Sequence, residues 1–287
     1  MHILITGANG QLGQELAALL TRHSNVSIVT TDIDTLDLTR EDEVNRFFDN
    51  HHFDYAVNCA AYTAVDRAES QPELCRLINA DAIEILGRVA SRHACRVVHV
   101  STDYVFDGKG HRPYREDDPT GPTSVYGATK LEGEQRLMQA APDSVIVRTA
   151  WLYSPHGKNF VKTMLELGRT RDSLSVVCDQ VGTPTSATSL ARAITAIVTG
   201  DKWQPGIYHY TDEGAISWYD FTIAIHRLAG ITSCRVTPCL SSEYPTAATR
   251  PFYSVLDKSK IKSVYGLSIP HWLTTLEEVL ARLSGKR

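Results

Sequence analysis

The chain lacks any long apolar segment. Within its 287 residues no hydrophobic run approaches the roughly 20 residues that a membrane-spanning helix needs. The first residues enter a strand-like pattern directly and show neither the basic nor the apolar region of a signal peptide. We therefore expect a cytoplasmic protein that has no membrane partner.

A surplus of positive charge is also missing. Lys and Arg number 29 against 33 Asp and Glu, which gives a net charge of −4. A groove built for nucleic-acid phosphates is usually basic, so we set nucleic acids aside as partners, while single basic sites for small phosphates stay open. With 43% hydrophobic and 22% charged residues, the composition excludes disordered, collagen-like and coiled-coil classes.

The six cysteines form no recognisable framework. They include no Cys-x-x-Cys pair and no zinc spacing, and the histidines are equally dispersed. We expect reduced thiols, as in a cytoplasmic protein, and no metal site built from these residues.

Apolar, β-branched segments alternate with helix-periodic segments through the first 150 residues. The predicted strands are 2–6, 26–31, 55–60, 96–101 and 144–149, and the predicted helices include 72–93 and 126–139. Such alternation favours right-handed crossovers between parallel strands. The sequence therefore predicts an α/β fold of the Rossmann type, with a doubly wound parallel sheet in residues 1–150.

The pattern changes after about residue 150. Proline and glycine divide the second half into shorter elements. We interpret residues 151–287 as a smaller, mainly substrate-binding region at the carboxyl edge of the sheet. Because no clean linker marks the boundary, some later segments are expected to return to the first domain.

A glycine turn follows the first predicted strand. Gly7, Gly10 and Gly13 have the spacing G-x-x-G-x-x-G. In a dinucleotide site such glycines allow a tight turn, close approach to a pyrophosphate and close packing of helix on strand. The helix N-terminus then offers amide donors to the phosphates. We predict a dinucleotide site here that also includes the turn residues Asn9, Gln11 and Leu12.

An acidic residue after the second strand is expected to hold the adenosine ribose. Asp32 is the first choice, and Asp34 and Asp37 lie nearby in the sequence. No basic residue follows until Arg40, so a 2′-phosphate meets carboxylates first, which favours NADH. A role for Arg40 or a shifted loop leaves NADPH open.

Two segments carry residues suited to carbonyl reduction. Tyr126 and Lys130 are four residues apart at the start of a predicted helix, which places both side chains on one face. Upstream, Ser101 and Thr102 end a predicted strand, where ligands bind in parallel sheets. Reduction of a ketone needs a proton donor, and a nearby ammonium is expected to lower the pKa of the Tyr126 phenol toward neutrality. Lys130 can also hydrogen-bond the nicotinamide ribose.

Together these motifs resemble those of the extended short-chain dehydrogenase/reductases. The most specific strings are Ser-Thr-Asp-Tyr-Val-Phe-Asp-Gly at 101–108, Tyr-Gly-Ala-Thr-Lys at 126–130 and Asp-Gln-Val-Gly-Thr-Pro-Thr at 179–185, and the similarity covers essentially the whole chain. The resemblance implies Thr102 as the hydroxyl partner, with Ser101 as its rival, Tyr126 as the acid and Lys130 as its tuner. It also implies NADPH as well as NADH, and cofactor contacts at Asp37, Leu38, Ala60, Ala61, Thr63, Tyr126 and Lys130.

The same resemblance points to a branch that reduces the C4 ketone of a dTDP-linked deoxyhexose. A nucleotide-sugar substrate needs an aromatic border, phosphate donors and hexose contacts. Asn159 suits a phosphate site at a helix start and equally an ordinary N-cap. The residues that we predict to bind this substrate are Tyr104, Val105, Trp151, Asn159, Phe160, Gln180 and Arg250.

Other readings of the same motifs stay open. Another sugar-nucleotide reductase is one of them, and an epimerase on this scaffold, which would keep its NAD bound without net consumption, is another. A non-catalytic regulatory subunit of methionine adenosyltransferase would bind NADP and a partner enzyme. The resemblance also implies a homodimer and, in some members, Mg²⁺ between subunits, but the residues after Thr185 offer no acidic cluster for a metal.

Overall fold

Strands and helices alternate along the first half of the chain. The computed structural model describes residues 1–285, which leaves the last two residues of the predicted 151–287 region outside the description. The strands are β1 His2–Thr6, β2 Ser27–Thr31, β3 Tyr55–Asn58, β4 Arg96–Thr102, β5 Val145–Thr149, β6 Leu152–Tyr153, β7 Ser173–Val177, β8 Val181–Gly182, β9 Thr185–Ser186, β10 Gly206–His209, β11 Ile216–Ser217 and β12 Arg235–Cys239.

The helices fill the intervals between these strands. They are α1 Gln11–Leu20, α2 Glu41–Asp49, α3 Val65–Ala68, α4 Pro72–Arg76, α5 Ala82–Arg92, α6 Val125–Ala140, α7 Phe160–Thr170, α8 Ala187–Thr199, α9 Trp218–Ala229, α10 Ser259–Tyr265 and α11 Trp272–Leu283. A π-helical turn at Leu77–Asp81 joins α4 to α5, so the predicted helix over 72–93 is continuous in space. No helix within the described 285 residues is long and apolar enough to cross a membrane.

The central sheet has six strands in the order β10-β5-β4-β3-β1-β2, and every neighbouring pair is parallel. This confirms the predicted α/β fold with a doubly wound parallel sheet. The chain runs from β1 to β2 on one side and then crosses to β3 on the other. Such a reversal opens a crevice at the carboxyl ends of the strands, where ligands bind in this architecture.

The side chains of successive residues in the central strands are buried on opposite faces of the sheet. Ile3 and Ile5 pack with α1 and α8 on one face, whereas Leu4 packs with α2 and α5 on the other. Val98 and Val97 on β4 repeat this alternation. Because both faces are covered, the strands read as continuous apolar runs, and the sheet is a rigid base for the residues at its edge.

Two later segments belong to the same sheet assembly. β10 pairs with β5 in register from Gly206 to His209, and Leu190 and Ile194 of α8 share a core cluster with Leu16 of α1. A separate cluster that includes Val161, Phe221 and Leu276 joins α7, α9 and α11. The boundary at residue 150 remains a prediction.

Candidate active site

A cavity of about 550 Å³ lies at the carboxyl ends of β4 and β5 and beside the N-terminus of α1. An adjoining cavity of about 400 Å³ lies at the ends of β1 and β2, and Gly10, Cys59 and Ala61 line both. We call the first the catalytic cavity and the second the adenosine-side cavity. The predicted site residues in the catalytic cavity wall are Gly10, Gln11, Leu12, Ala61, Thr63, Thr102, Tyr104, Tyr126, Lys130, Trp151 and Asn159.

The glycine turn is packed so closely that side chains are excluded at two positions. Gly7 has a φ of +65°, and a Cβ there would lie 2.5 Å from the backbone nitrogen of Ala60. A Cβ at Gly13 would collide with the carbonyl oxygen of Gly7. Gly10 is the N-cap of α1 and makes no side-chain cap, so the helix start faces both cavities with free space above its amides. This is the cradle that a dinucleotide pyrophosphate requires.

The adenosine-side cavity contains the expected acidic residues. Asp32 follows β2, and its Oδ2 accepts the backbone N–H of Asn9 at 2.9 Å, which ties the carboxylate to the glycine turn. Asp37 Oδ1 accepts from the backbone and hydroxyl of Thr39 at 2.9 and 2.7 Å. Within residues 1–285 no Lys or Arg lines this cavity, and Arg40 instead pairs with Glu43 at 2.6 Å. The other predicted residues in its wall are Gly7, Asn9, Leu38, Ala60 and Ala61.

Thr102, Tyr126 and Lys130 converge in the catalytic cavity. Thr102 ends β4, and its hydroxyl donates to Asp103 Oδ1 at 3.1 Å and accepts the N–H of Tyr104 at 3.2 Å. The Thr102 hydroxyl also contacts Tyr126, whereas the buried Ser101 hydroxyl has no partner among the described residues. Ser124 caps α6 by accepting the N–H of Gly127, which fixes the helix start that carries Tyr126.

The protonation of the Tyr126–Lys130 pair differs from the expectation. Burial raises the pKa of Tyr126, and its hydrogen bond with Thr102 only partly opposes this. Lys130 is 1% exposed, and burial lowers its pKa to about 8. Its Nζ donates to the carbonyl of Val100 at 2.8 Å and not to the phenol. The sequence argument counted the attraction of the cation and left out the cost of burying both groups.

An aromatic wall faces these residues from the second half of the chain. Trp151 has a φ of +48°, a conformation that is strained for a bulky residue. Its indole stacks on Trp218 with the ring centroids 3.4 Å apart, and its other contacts include Gly182, where a Cβ would overlap the ring. Strain of this kind persists only where the surroundings hold it, and it is common at functional sites.

Asn159 joins the loop before α7 to the glycine-turn helix. Its Oδ1 accepts the N–H of Lys162, the ordinary N-cap contact, while its Nδ2 donates to Gln11 Oε1 at 2.9 Å. The neighbouring Lys158 is exposed and also lines the catalytic cavity. Asn159 therefore caps α7 and lines the catalytic cavity at the same time.

Four predicted substrate residues do not line the cavity. Val105 is fully buried in a cluster with Phe106 and Leu256, because the turn after β4 directs it into the core. Phe160 packs on Trp218 and Phe221.

The other two side chains are engaged elsewhere. Gln180 donates to Ser241 at 2.9 Å, and Arg250 pairs with Asp66 at 2.7 Å. Arg250 also contacts Tyr104, a residue of the cavity wall.

Sequence reasoning did not single out several residues that build the site. Asp103 stood inside a quoted motif, yet its burial at 1% exposure was not foreseeable from the string. Trp218 and Lys158 carried no local signal. His99, which lies 3.1 Å from Lys130, read only as one residue of a strand. Among the described residues no group of three or more His, Cys, Asp or Glu side chains is arranged to hold a metal, and all six cysteines are free.

The parallel sheet, the glycine turn and the Thr–Tyr–Lys constellation define an extended short-chain dehydrogenase/reductase. The family model described as "RmlD substrate binding domain" matches residues 1–284, and the chain belongs to that family.

Relatives with known names agree with this membership. A dTDP-4-dehydrorhamnose reductase of Aggregatibacter actinomycetemcomitans is 40% identical over 98% of both chains. A solved dTDP-4-dehydrorhamnose reductase of Clostridium acetobutylicum is 45% identical with a TM-score of 0.95, covering 99% of this chain and 100% of the other. The Bacillus anthracis enzyme, solved in complex with NADP, is 35% identical with a TM-score of 0.94 over 98% and 99% of the two chains.

Proposed function

We propose that this protein reduces the C4 ketone of dTDP-4-dehydro-β-L-rhamnose with NAD(P)H and forms dTDP-β-L-rhamnose, the last step of dTDP-rhamnose synthesis. The observation that carries this is the single cavity in which Thr102, Tyr126 and Lys130 lie beside the glycine turn. The near full-length similarity to named reductases supports the choice of substrate.

The residues of the two cavities fit a nicotinamide dinucleotide. Gly7 and Gly13 allow the turn to pack closely against Ala60 and against the first turn of α1, and the start of α1 presents its amides to a diphosphate. Asp32 and Asp37 would hold the adenosine end, and Lys130 and Thr63 would hold the nicotinamide end. When bound, the reduced nicotinamide supplies the hydride.

Tyr126 is the proton donor in this proposal. Hydride addition would place negative charge on the former carbonyl oxygen. Tyr126 keeps its proton at neutral pH because burial raises its pKa, so it is available to donate that proton to the oxygen. The Thr102 hydroxyl donates to Asp103 in this structure and would orient the carbonyl by turning its hydrogen toward the substrate. Lys130 orients the ribose. Trp151 borders the hexose, and Lys158 and the start of α7 face the diphosphate.

Two observations concern the choice between NADH and NADPH, and they point in opposite directions. The adenosine-side cavity presents carboxylates and, within residues 1–285, no cation, which favours NADH. The similar Bacillus anthracis structure holds NADP. We propose that both cofactors serve, and the ratio of their turnover rates measures the preference.

The test is oxidation of NADH and of NADPH with enzymatically generated dTDP-4-dehydro-L-rhamnose, with the product identified by NMR. Consumption of the cofactor and formation of dTDP-L-rhamnose is the expected result. Binding of the cofactor without consumption contradicts the proposal and favours the epimerase or the regulatory subunit. A tightly bound NAD that survives purification distinguishes the epimerase, and co-purification of a partner enzyme distinguishes the subunit.

Three further parts of the proposal concern the substrate-binding region, the oligomeric state and the cellular location. We propose that residues 151–287 chiefly bind the sugar nucleotide, apart from segments such as β10 that complete the sheet. We also propose a homodimer, and analytical ultracentrifugation tests this oligomeric state. A location in the cytoplasm is tested by fractionation.

A further inference from the structure

A chain of buried polar groups runs through the sheet from the end of β1 to Lys130. The Thr6 hydroxyl donates to Asn58 Oδ1 at 2.5 Å, and Asn58 Nδ2 lies 2.9 Å from His99 Nδ1. On the other side of the imidazole, His99 Nε2 lies 3.1 Å from Lys130 Nζ. None of these four residues is more than 1% exposed, and the chain reaches the catalytic cavity at Lys130.

The backbone of Ala60 fixes the orientation of the Asn58 amide. The Ala60 N–H donates to Asn58 Oδ1 at 3.2 Å, and Asn58 Nδ2 donates to the Ala60 carbonyl at 3.3 Å. A backbone N–H can only donate and a carbonyl can only accept, so the amide cannot be turned round. Asn58 therefore faces His99 with a donor, and His99 Nδ1 is the acceptor.

The tautomer of His99 follows from this. Burial lowers the pKa of His99 well below its usual value, so the imidazole is neutral. With Nδ1 accepting, the single ring hydrogen is on Nε2 and points at Lys130 Nζ. An ammonium has three N–H groups and no lone pair, whereas a neutral amine can accept one hydrogen bond. Only the neutral amine accepts from His99 while donating to the Val100 carbonyl at 2.8 Å.

We propose that His99 is a positioning residue for Lys130: its Nε2–H holds the amine against the Val100 carbonyl and opposes an additional proton on Nζ. The part of this inference that concerns turnover rests on the proposed function, because that function gives Lys130 its role. The other titratable groups that act on Lys130 are Glu134 on α6 and Cys75 on α4, and both favour the ammonium. Burial opposes them and lowers the pKa of Lys130 to about 8. The Nε2–H of His99, 3.1 Å from Nζ, acts in the same direction as burial in this proposal.

The decisive substitution is His99→Gln. A glutamine amide reaches the position of His99 Nε2 and can turn its carbonyl oxygen toward Nζ, where it accepts from an ammonium. We expect the titration midpoint of Lys130 to rise by roughly one pH unit, a tenfold change in proton affinity. If the ammonium is the active form, the alkaline fall in kcat/KM moves upward by the same amount.

His209→Gln is the matched control. His209 is also fully buried and neutral in the sheet, but it contacts the Tyr114 carbonyl at 3.1 Å and lies 3.5 Å from Arg148. It therefore tests the loss of a buried imidazole without a change at Lys130, and we expect no movement of the Lys130 midpoint. His99→Asn is a second variant, because it keeps an amide beside Asn58 and is too short to reach Nζ; we expect a smaller rise.

The primary measurement does not depend on turnover. In protein labelled with [ε-¹³C]lysine, the resonance that disappears in Lys130→Met reports Lys130, and its chemical shift against pH gives the midpoint. A wrong substrate would abolish turnover but leave this titration intact, so the two proposals fail separately. An unchanged midpoint in His99→Gln and His99→Asn, or an equal rise in His209→Gln, overturns the inference. Reduced stability of the His99 variants without movement of the midpoint also overturns it.

Discussion

The catalytic cavity has two walls of different construction. One wall, which we call the sheet wall, carries Thr102, Asp103, Tyr126 and Lys130, and the first two and Lys130 are at most 5% exposed. Thr102 and Lys130 bond backbone groups, and Asp103 Oδ1 accepts from Thr102. On the opposite side, Trp151 and Lys158 project from loops, and Trp151 is supported by Trp218 of α9 and by the segment around Gly182.

The sheet wall carries the groups proposed for the chemistry, and the aromatic wall carries those proposed for substrate recognition. A proton donor and its neighbours must keep their geometry to a fraction of an ångström, and a close-packed parallel sheet provides that rigidity. Substrate contacts can be carried on loops, whose side chains change without disturbing the sheet. Relatives with the same sheet wall are therefore expected to differ mainly in the aromatic wall.

The strongest way to break the sheet wall is Tyr126→Phe. The ring keeps its edge contact with Tyr104, whose centroid is 5.4 Å away, but the proton donor is lost. We expect kcat to fall by roughly 10²- to 10⁴-fold, the usual contribution of a general acid, with NADPH affinity unchanged. Steady-state kinetics and fluorescence titration measure the two quantities. Tyr153→Phe is the control, since that buried hydroxyl contacts Thr275 outside the cavity, and it should retain turnover.

Gly7→Ala tests the cradle. The left-handed backbone costs an alanine roughly 1–2 kcal/mol, and overlap with Ala60 adds a strain of about 1–3 kcal/mol. Gly230→Ala has a matching φ of +67° with no atom within 4 Å, so it should show only the first cost. Urea unfolding compares the two variants. We also expect NADPH binding to weaken more than about tenfold in Gly7→Ala alone; equal stability losses would contradict the packing argument.

Asp103→Asn tests how the buried Asp103 carboxylate affects the stability of the protein as pH changes. Burial raises the pKa of Asp103 to about 6, above the value of about 3.9 in an unfolded chain. Below about pH 4 the carboxyl is protonated in both states; as pH rises toward 6 and beyond, the folded protein carries a growing penalty of up to about 3 kcal/mol. The variant should therefore be more stable than the wild type at pH 7 and lose that advantage by pH 4. A difference that does not change with pH would disprove the explanation.

The aromatic wall should give a smaller effect. Trp218→Ala removes the surface on which Trp151 stacks at an interplanar angle of 8°. We expect the KM for the sugar nucleotide to rise about tenfold, near 1.4 kcal/mol, while the Kd for NADPH stays the same. Trp218→Phe keeps part of the stack, so its KM for the sugar nucleotide should lie between those of the wild type and Trp218→Ala. If cofactor affinity fell equally, the assignment of this wall to the sugar would fail.

Local patterns were sufficient for the sheet and for much of the sheet wall. The strands of the first half begin and end within two residues of their predicted bounds, because apolar runs and glycine turns are local signals. The spacing of Tyr126 and Lys130 placed them on one helix face, and the end of β4 brought Thr102 beside them. Fewer of the predicted substrate residues reached the cavity, since loops after residue 150 are positioned by contacts distant in sequence.

Patterns within a few residues were enough to predict the order of strands and helices and the glycine cradle, and to select Thr102, Tyr126 and Lys130 as candidate reacting side chains. Contacts between residues distant in the sequence place Trp218 against Trp151, turn Val105 into the core and set His99 beside Lys130. Tertiary packing also decided the protonation of Tyr126 and Lys130. Desolvation depends on everything packed around a group, and no spacing along the chain encodes it.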